Sequence, residues 1–231
     1  MSLSLTKTYS NNVEKLTDII LSIEDKDPLY KPLSTIFGAF LGDSMGSYCE
    51  FIRYSKDNYL KVFNNNNIFG YPPGHVTDDS EMAMSLAYAI MDYPDINTLN
   101  PNYIYFYYSL WKNSGPFDIG RTTATALNMF NSMSSQKIEN CFSDNIKKII
   151  GIYNKDSLAN GSLMRNSPLT VWYYFTHKSL IENTFKEGTI SGNKIYDLFS
   201  DICKYTEIDC QTTHPNSEMI LADAFCIVLR P

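Results

Sequence analysis

Apolar residues recur three and four positions apart along most of the chain, and no convincing run alternates between apolar and polar side chains. That spacing is the period of one helix face, whereas a half-buried strand needs a period of two. Val13, Leu16, Ile20 and Ile23 form a first stripe, closed by "DPLYKP". Met82, Ala83, Leu86, Ala87 and Ile90 form another, in a helix running on from Ser80. Further helical patterns cover 101–113, 121–133, 137–153, 163–176, 192–206 and 216–229, separated by Gly, Pro, Asn and Ser clusters. The aromatic run "WYYF" has the composition of a short strand, but its flanks extend the helical spacing. The expected fold is therefore all-α. A chain of 231 residues can bury a substantial core, and no proline-rich or charged linker divides it. One domain over 34–231 is expected, after an N-terminal helix and lead-in over 1–33.

Composition narrows the function classes. There are 19 basic against 25 acidic residues, a formal net charge of −6. No long-range field draws a polyanion to such a chain, so nucleic acid is not an expected partner. Five cysteines, Cys49, Cys141, Cys203, Cys210 and Cys226, are odd in number and contain no CxxC pair. They suggest neither a disulfide framework nor a zinc site, and a reducing, intracellular setting fits them. The longest apolar-looking stretch, "YIYFYYSLW" at 103–111, is far short of the roughly 20 residues a spanning helix needs, so no membrane partner is expected. The 17 Tyr and 13 Phe predict an interior rich in aromatic rings.

Two stretches stand out chemically. In "GHVTDDSEMAMSLAYAI" at 74–90, Thr77, Asp78 and Asp79 precede the apolar stripe. Asp78 or Asp79 suits a helix cap, and Glu81 suits the positive end of the helix dipole. One cap needs only one acceptor, however, and two carboxylates beside a hydroxyl also make a set of hard oxygen ligands of the kind Mg²⁺ or Ca²⁺ accepts. The segment 34–51 mixes large apolar residues with Gly38, Ala39, Gly42, Ser44 and Gly46. Small residues there predict close approach of a neighbouring backbone or a ligand, or else tight helix packing.

Five stretches taken together resemble a known family. "GAFLGDSMGSYCE" (38–50), "TDDSEMA" (77–83), "FDIGRTTATAL" (117–127), "ANGSLMRNSPL" (159–169) and "THPNSEMILADA" (213–224) follow the order and spacing of the ADP-ribosylglycohydrolases. That group includes the dinitrogenase reductase-activating glycohydrolase and the ADP-ribosylarginine and ADP-ribosylserine hydrolases. The resemblance implies a single-domain, orthogonal helical bundle whose cleft holds two Mg²⁺ ions, and a Mg²⁺-dependent hydrolase that cleaves the glycosidic bond between ADP-ribose and a modified side chain or small molecule. It assigns Thr77, Asp78 and Asp79 to metal. Glu50 and Asp118 become the candidates for acid/base work, since the oxocarbenium-like route needs a carboxyl group to protonate the leaving group or activate water. The alternatives for these two are a surface acid at a helix end and an N-cap of the helix near Arg121. Asn160, Gly161, Ser162 and His214 inherit contact with ADP-ribose. Arg165 could face the diphosphate or act as a structural hydrogen-bond hub.

The same pattern predicts a second acidic motif, Asp-x-Asp-[Ser/Thr], and the 231 residues contain none. At most one Mg²⁺ is therefore expected for this chain. The absence leaves room for a catalytically inactive, ADP-ribose-binding or crystallin-like relative, or a truncated gene remnant. It also predicts uncovered apolar faces at Ile220, Leu221, Ala224 and Ile227 that favour self-association.

Overall fold

The computed structural model describes residues 22–24, 27–51, 66–128, 138–185 and 192–228. Val13, Leu16 and Ile20 of the first stripe lie outside them. Among the described residues, nine α-helices and one 3₁₀ turn are bounded, and there is no strand. None of these helices is long and apolar enough to cross a membrane.

Helix α1 spans Tyr30–Gly46, with Pro32 in its first turn. A proline there loses no helical hydrogen bond, so it starts the helix instead of closing the segment before it. Helix α2 spans Asp78–Asp92, with Thr77 as its N-cap residue. Helix α3 spans Pro101–Asn113, again with proline in the first turn, and Asn100 accepts from the Asn102 N–H at 2.9 Å. Helix α4 spans Arg121–Leu127 and helix α5 Asp144–Tyr153. The pattern at 137–153 is thus broken: a 3₁₀ turn at Ile138–Asn140 precedes Ser143, whose hydroxyl caps α5. The break is stable because Asn102 accepts from the Phe142 N–H at 2.8 Å.

Helix α6 spans Ser167–Thr176, and α7, Lys178–Phe185, follows after His177 alone. The pattern from 163 does not start as helix, since 160–165 form turns and proline at 168 marks a first turn. Helix α8 spans Gly192–Cys210, and α9 spans Ser217–Val228. The apolar stripe of α2 buries Met82, Leu86 and Ile90 against Ile104, Tyr105, Tyr108 and Trp111 of α3. Helix α2 also meets α1 and α6, while α9 lies along α8.

Tyrosines are tolerated in this core because their hydroxyls find partners. Tyr105 donates to the Ala126 carbonyl at 2.9 Å, and Tyr108 to Asp209 at 2.6 Å. The last helix differs from expectation: Ala224 and Ile227 are buried, Ile220 is partly buried, and of the four apolar residues named there Leu221 alone is exposed, by about half. Exposed apolar side chains occur on several other helices as well, among them Phe37 and Leu41 on α1 and Met84, Tyr88 and Met91 on α2.

Candidate functional site

The start of α2 is held from another helix. Asp43, on α1, accepts from the Thr77 N–H at 2.9 Å, the Thr77 hydroxyl at 2.6 Å, the Ser80 N–H at 3.1 Å and the Ser80 hydroxyl at 2.6 Å. The two N–H groups are helix-end donors that a local cap or capping box normally satisfies. Thr77 accordingly makes no side-chain cap bond of its own, and neither Asp78 nor Asp79 is needed as a cap. Glu81 is turned away to accept from the Trp111 indole N–H at 2.6 Å, tying α2 to α3. Asp43 was not singled out by the sequence, since nothing local connects it to Thr77. The only available signal was an acidic residue between Gly42 and Ser44 in the small-residue segment.

Five carboxylates share this region. Burial first, then the charges of Asp118 and Asp79, push Asp78 up to about 7, against the pull of the Gly120 backbone N–H. Asp79 is pushed up to about 6 by burial and by Asp43, Glu50 and Asp118. Glu50, in the turn after α1, is raised by burial and by Asp118, Asp78 and Asp43. The ion pairs of the described residues all lie elsewhere, so among those residues no Lys or Arg pairs with this cluster. A cavity of about 270 Å³ is lined by Gly42, Asp43, Gly46, Ser47, Glu50, Thr77 and Asp79.

Glycines 42 and 46 open onto this space: a Cβ at either would meet nothing within 4 Å, and the same holds for Gly38. Neither close backbone approach nor tight helix packing accounts for them. The N-cap of α4 is Gly120, without a side-chain cap bond, so Asp118 is not that helix's cap.

The residues present fit a divalent cation in chemistry. Clustered hard-oxygen donors with no basic partner among the described residues, of which Glu50, Asp78 and Asp79 are held above their ordinary pKa values, gain from a positive ion that removes their mutual repulsion. Thr77, Asp78 and Asp79 are the donors at the cluster's ordered helix start. Among the described residues, however, no three His, Cys, Asp or Glu side chains converge closely enough to hold a metal by themselves.

A second cluster gathers the remaining candidates. His214 is fully buried; its Nδ1 lies 2.8 Å from the Thr213 hydroxyl, while its Nε2 has no hydrogen-bond partner. Burial and the nearby Arg165 guanidinium push its pKa down to about 3, so the ring is neutral. Gly161 packs on that ring, where a Cβ would lie 2.7 Å from His214 Cε1. Asn160 is exposed and Ser162 fully buried. The Ser162 hydroxyl lies near Asp223 and favours its charged form, although burial still pushes Asp223 up to about 7.

Arg165 is the hub and is closed to ligands. It is fully buried, donates to the Asp209 carboxylate at 3.1 Å, to the Asp209 carbonyl at 3.2 Å and to the Thr212 hydroxyl at 3.3 Å, and lies 4.3 Å over the Tyr108 ring. Helix α4 joins the two clusters. The loop before it reaches Asp78 through Gly120, and Thr123 within it approaches Gly161. Asn154 donates to the Thr122 and Thr213 carbonyls, both at 2.9 Å.

Comparison with known proteins bears on this arrangement. The family model of the ADP-ribosylglycohydrolases matches residues 25–229. A protein of Acanthamoeba polyphaga mimivirus that carries the name ADP-ribosyl glycohydrolase is 35% identical over 149 residues, 61% of this chain and 41% of its own length. A solved structure titled "ADP-ribosylglycohydrolase-related protein complex" shares the fold with a TM-score of 0.55 at 18% identity, over 86% of this chain and 54% of the other. The chain thus spans about half the length, or less, of the relatives it matches.

Proposed function

The chain belongs to the ADP-ribosylglycohydrolase family, and from that premise we propose that it is a Mg²⁺-dependent hydrolase that releases ADP-ribose from a modified side chain or small molecule. The observation that carries the metal and chemistry is the carboxylate cluster of Asp43, Glu50, Asp78, Asp79 and Asp118, which has no basic partner among the described residues. Thr77, Asp78 and Asp79 would hold Mg²⁺, which when bound supplies positive charge to orient the ribose hydroxyls.

Glycosidic cleavage joins a water oxygen to the ribose C1 and releases the leaving group. A carboxyl group gives the leaving group a proton, or a carboxylate takes one from the water. Glu50 fits that role. Burial and the charges of Asp118, Asp78 and Asp43 raise its pKa, the direction that acid work requires, and it lines the same cavity as Thr77 and Asp79. Asp118 is the second candidate and also sustains the raised pKa of Glu50 and Asp78. Of the residues the family pattern assigns to ADP-ribose, Asn160 is exposed on its turn and would meet the ligand, while the buried Gly161, Ser162 and His214 would hold that turn from behind.

A binding-only relative is the second reading. It is favoured by the lack, among the described residues, of three convergent metal-holding side chains.

Two measurements separate the readings. Mg²⁺ should raise the thermal stability of the parent and leave Asp78→Asn/Asp79→Asn unmoved, since a ligand of the native state stabilises it by mass action. ADP-ribose release from ADP-ribosylated arginine or serine peptides should fall by about 10²-fold in Glu50→Gln while ADP-ribose still binds. An identical Mg²⁺ response in the double variant removes the metal assignment. Binding without any release by the parent leaves the binding-only reading.

A further inference from the structure

We infer that Asp43 is a positioning residue for the acidic site: by capping α2 from α1 it accepts a hydrogen bond from the Thr77 hydroxyl and leaves the lone pairs of the Thr77 oxygen, beside Asp79, open to a cation. The cation half of this inference rests on the function proposed above, and the positioning half rests on geometry alone.

A hydroxyl has one proton to give and two lone pairs. With its proton directed to Asp43 at 2.6 Å, Thr77 Oγ1 can only accept a hydrogen bond or coordinate. Asp43 itself is heavily engaged. Four groups, the N–H and hydroxyl of Thr77 and the N–H and hydroxyl of Ser80, point at a carboxylate that offers about four acceptor directions. Its lone pairs are thus largely taken up by α2, those of Oδ2 entirely, although it lines the same cavity as Thr77 and Asp79.

Such short, charge-assisted bonds are strong and directional, so they fix the Thr77 rotamer as well as the helix end. The arrangement also answers why two acidic residues can stand at the start of α2. With the Thr77 and Ser80 amides satisfied from α1, Asp78, which accepts from the Gly120 N–H, and Asp79, which accepts from its own N–H, remain with the cluster.

The test uses Asp43→Asn, Thr77→Val and the double variant of the full chain, read by amide hydrogen exchange without metal and by Mg²⁺ titration calorimetry. Exchange at the Thr77 and Ser80 amides should rise about tenfold or more in Asp43→Asn, with later α2 amides near their parent rates. Unchanged exchange at both amides overturns the positioning role, whatever the metal does. Mg²⁺ affinity should fall about tenfold or more in each single variant, as for groups that orient a ligand. The double variant should be no weaker than Thr77→Val, because Asp43 acts through Thr77.

Losses that multiply in the double variant make Asp43 a ligand in its own right and overturn the inference. Should Asp43→Asn not fold, Thr77→Ser and Thr77→Val decide: parent-like affinity in both overturns it, and loss in the valine variant alone supports it. A parent chain that takes up no Mg²⁺ removes the proposed function and the cation half together, and amide exchange then decides the positioning half.

Discussion

A change from pH 7 to pH 5 should cost the folded chain stability through one residue, His214. The ring is fully buried, with one nitrogen beside the Thr213 hydroxyl and the other unpartnered, and its pKa is pushed down to about 3. An unfolded histidine takes up its proton near 6.5. Between those two values the unfolded chain binds a proton that the folded chain refuses, so stability rises with pH there. The contribution is fully present above 6.5 and is lost as pH falls towards 3. Going to pH 5 crosses about 1.5 units of that window, or about 2 kcal/mol at 1.36 kcal/mol per unit.

Asp223 and Asp78, both pushed up to about 7, and Asp79, pushed up to about 6, act in the opposite sense. Their stabilising contribution is present below the unfolded carboxylate value and is lost as pH rises through the folded one. The parent's own profile therefore mixes the two, and the useful quantity is its difference from His214→Asn. Urea unfolding of both proteins at pH 7 and pH 5 measures it. The parent's advantage over the variant should shrink by about 2 kcal/mol at the lower pH. An advantage that stays constant would show that the buried ring takes its proton normally, and the reasoning would be wrong.

Gly161→Ala places a methyl group 2.7 Å from His214 Cε1 and 3.0 Å from Thr123 Oγ1, so a loss of about 1–3 kcal/mol by urea unfolding is expected, together with weaker ADP-ribose binding. Gly38→Ala, in α1 with nothing within 4 Å, should instead stabilise by about 0.5–1 kcal/mol, and equal effects at the two sites would refute the packing argument. Arg165→Met strands the buried Asp209 carboxylate and should cost about 3–5 kcal/mol in the same assay. Arg165→Met/Asp209→Leu should recover part of that loss, and a purely additive loss in the double variant would argue against a buried pair.

What the sequence disclosed follows the range over which each cause acts. The apolar period of α2 and α3 is set by neighbours three and four positions away, so Met82, Leu86 and Ile90 are legible as core residues before any fold is known. The unbroken helix expected over 137–153 fails for a more distant reason: the pause before Ser143 is stable only because Asn102 supplies a hydrogen bond 40 positions away. At the candidate site the pair Asp78 and Asp79 is visible as chemistry, but its local reading as a cap is not realised. The capping acceptor is Asp43, 34 residues before Thr77, and that separation has no sequence signature. The five carboxylates share one region because α1 and the loop before α4 bring Glu50 and Asp118 to the start of α2. Gly161 shows the same division in a single residue. Its smallness is plain in "ANGSLMR", yet the atom that requires it belongs to His214, beyond α8. Chemistry confined to one turn can be read from composition and spacing, whereas a site built where helices cross acquires its protonation states and its order only from the crossing.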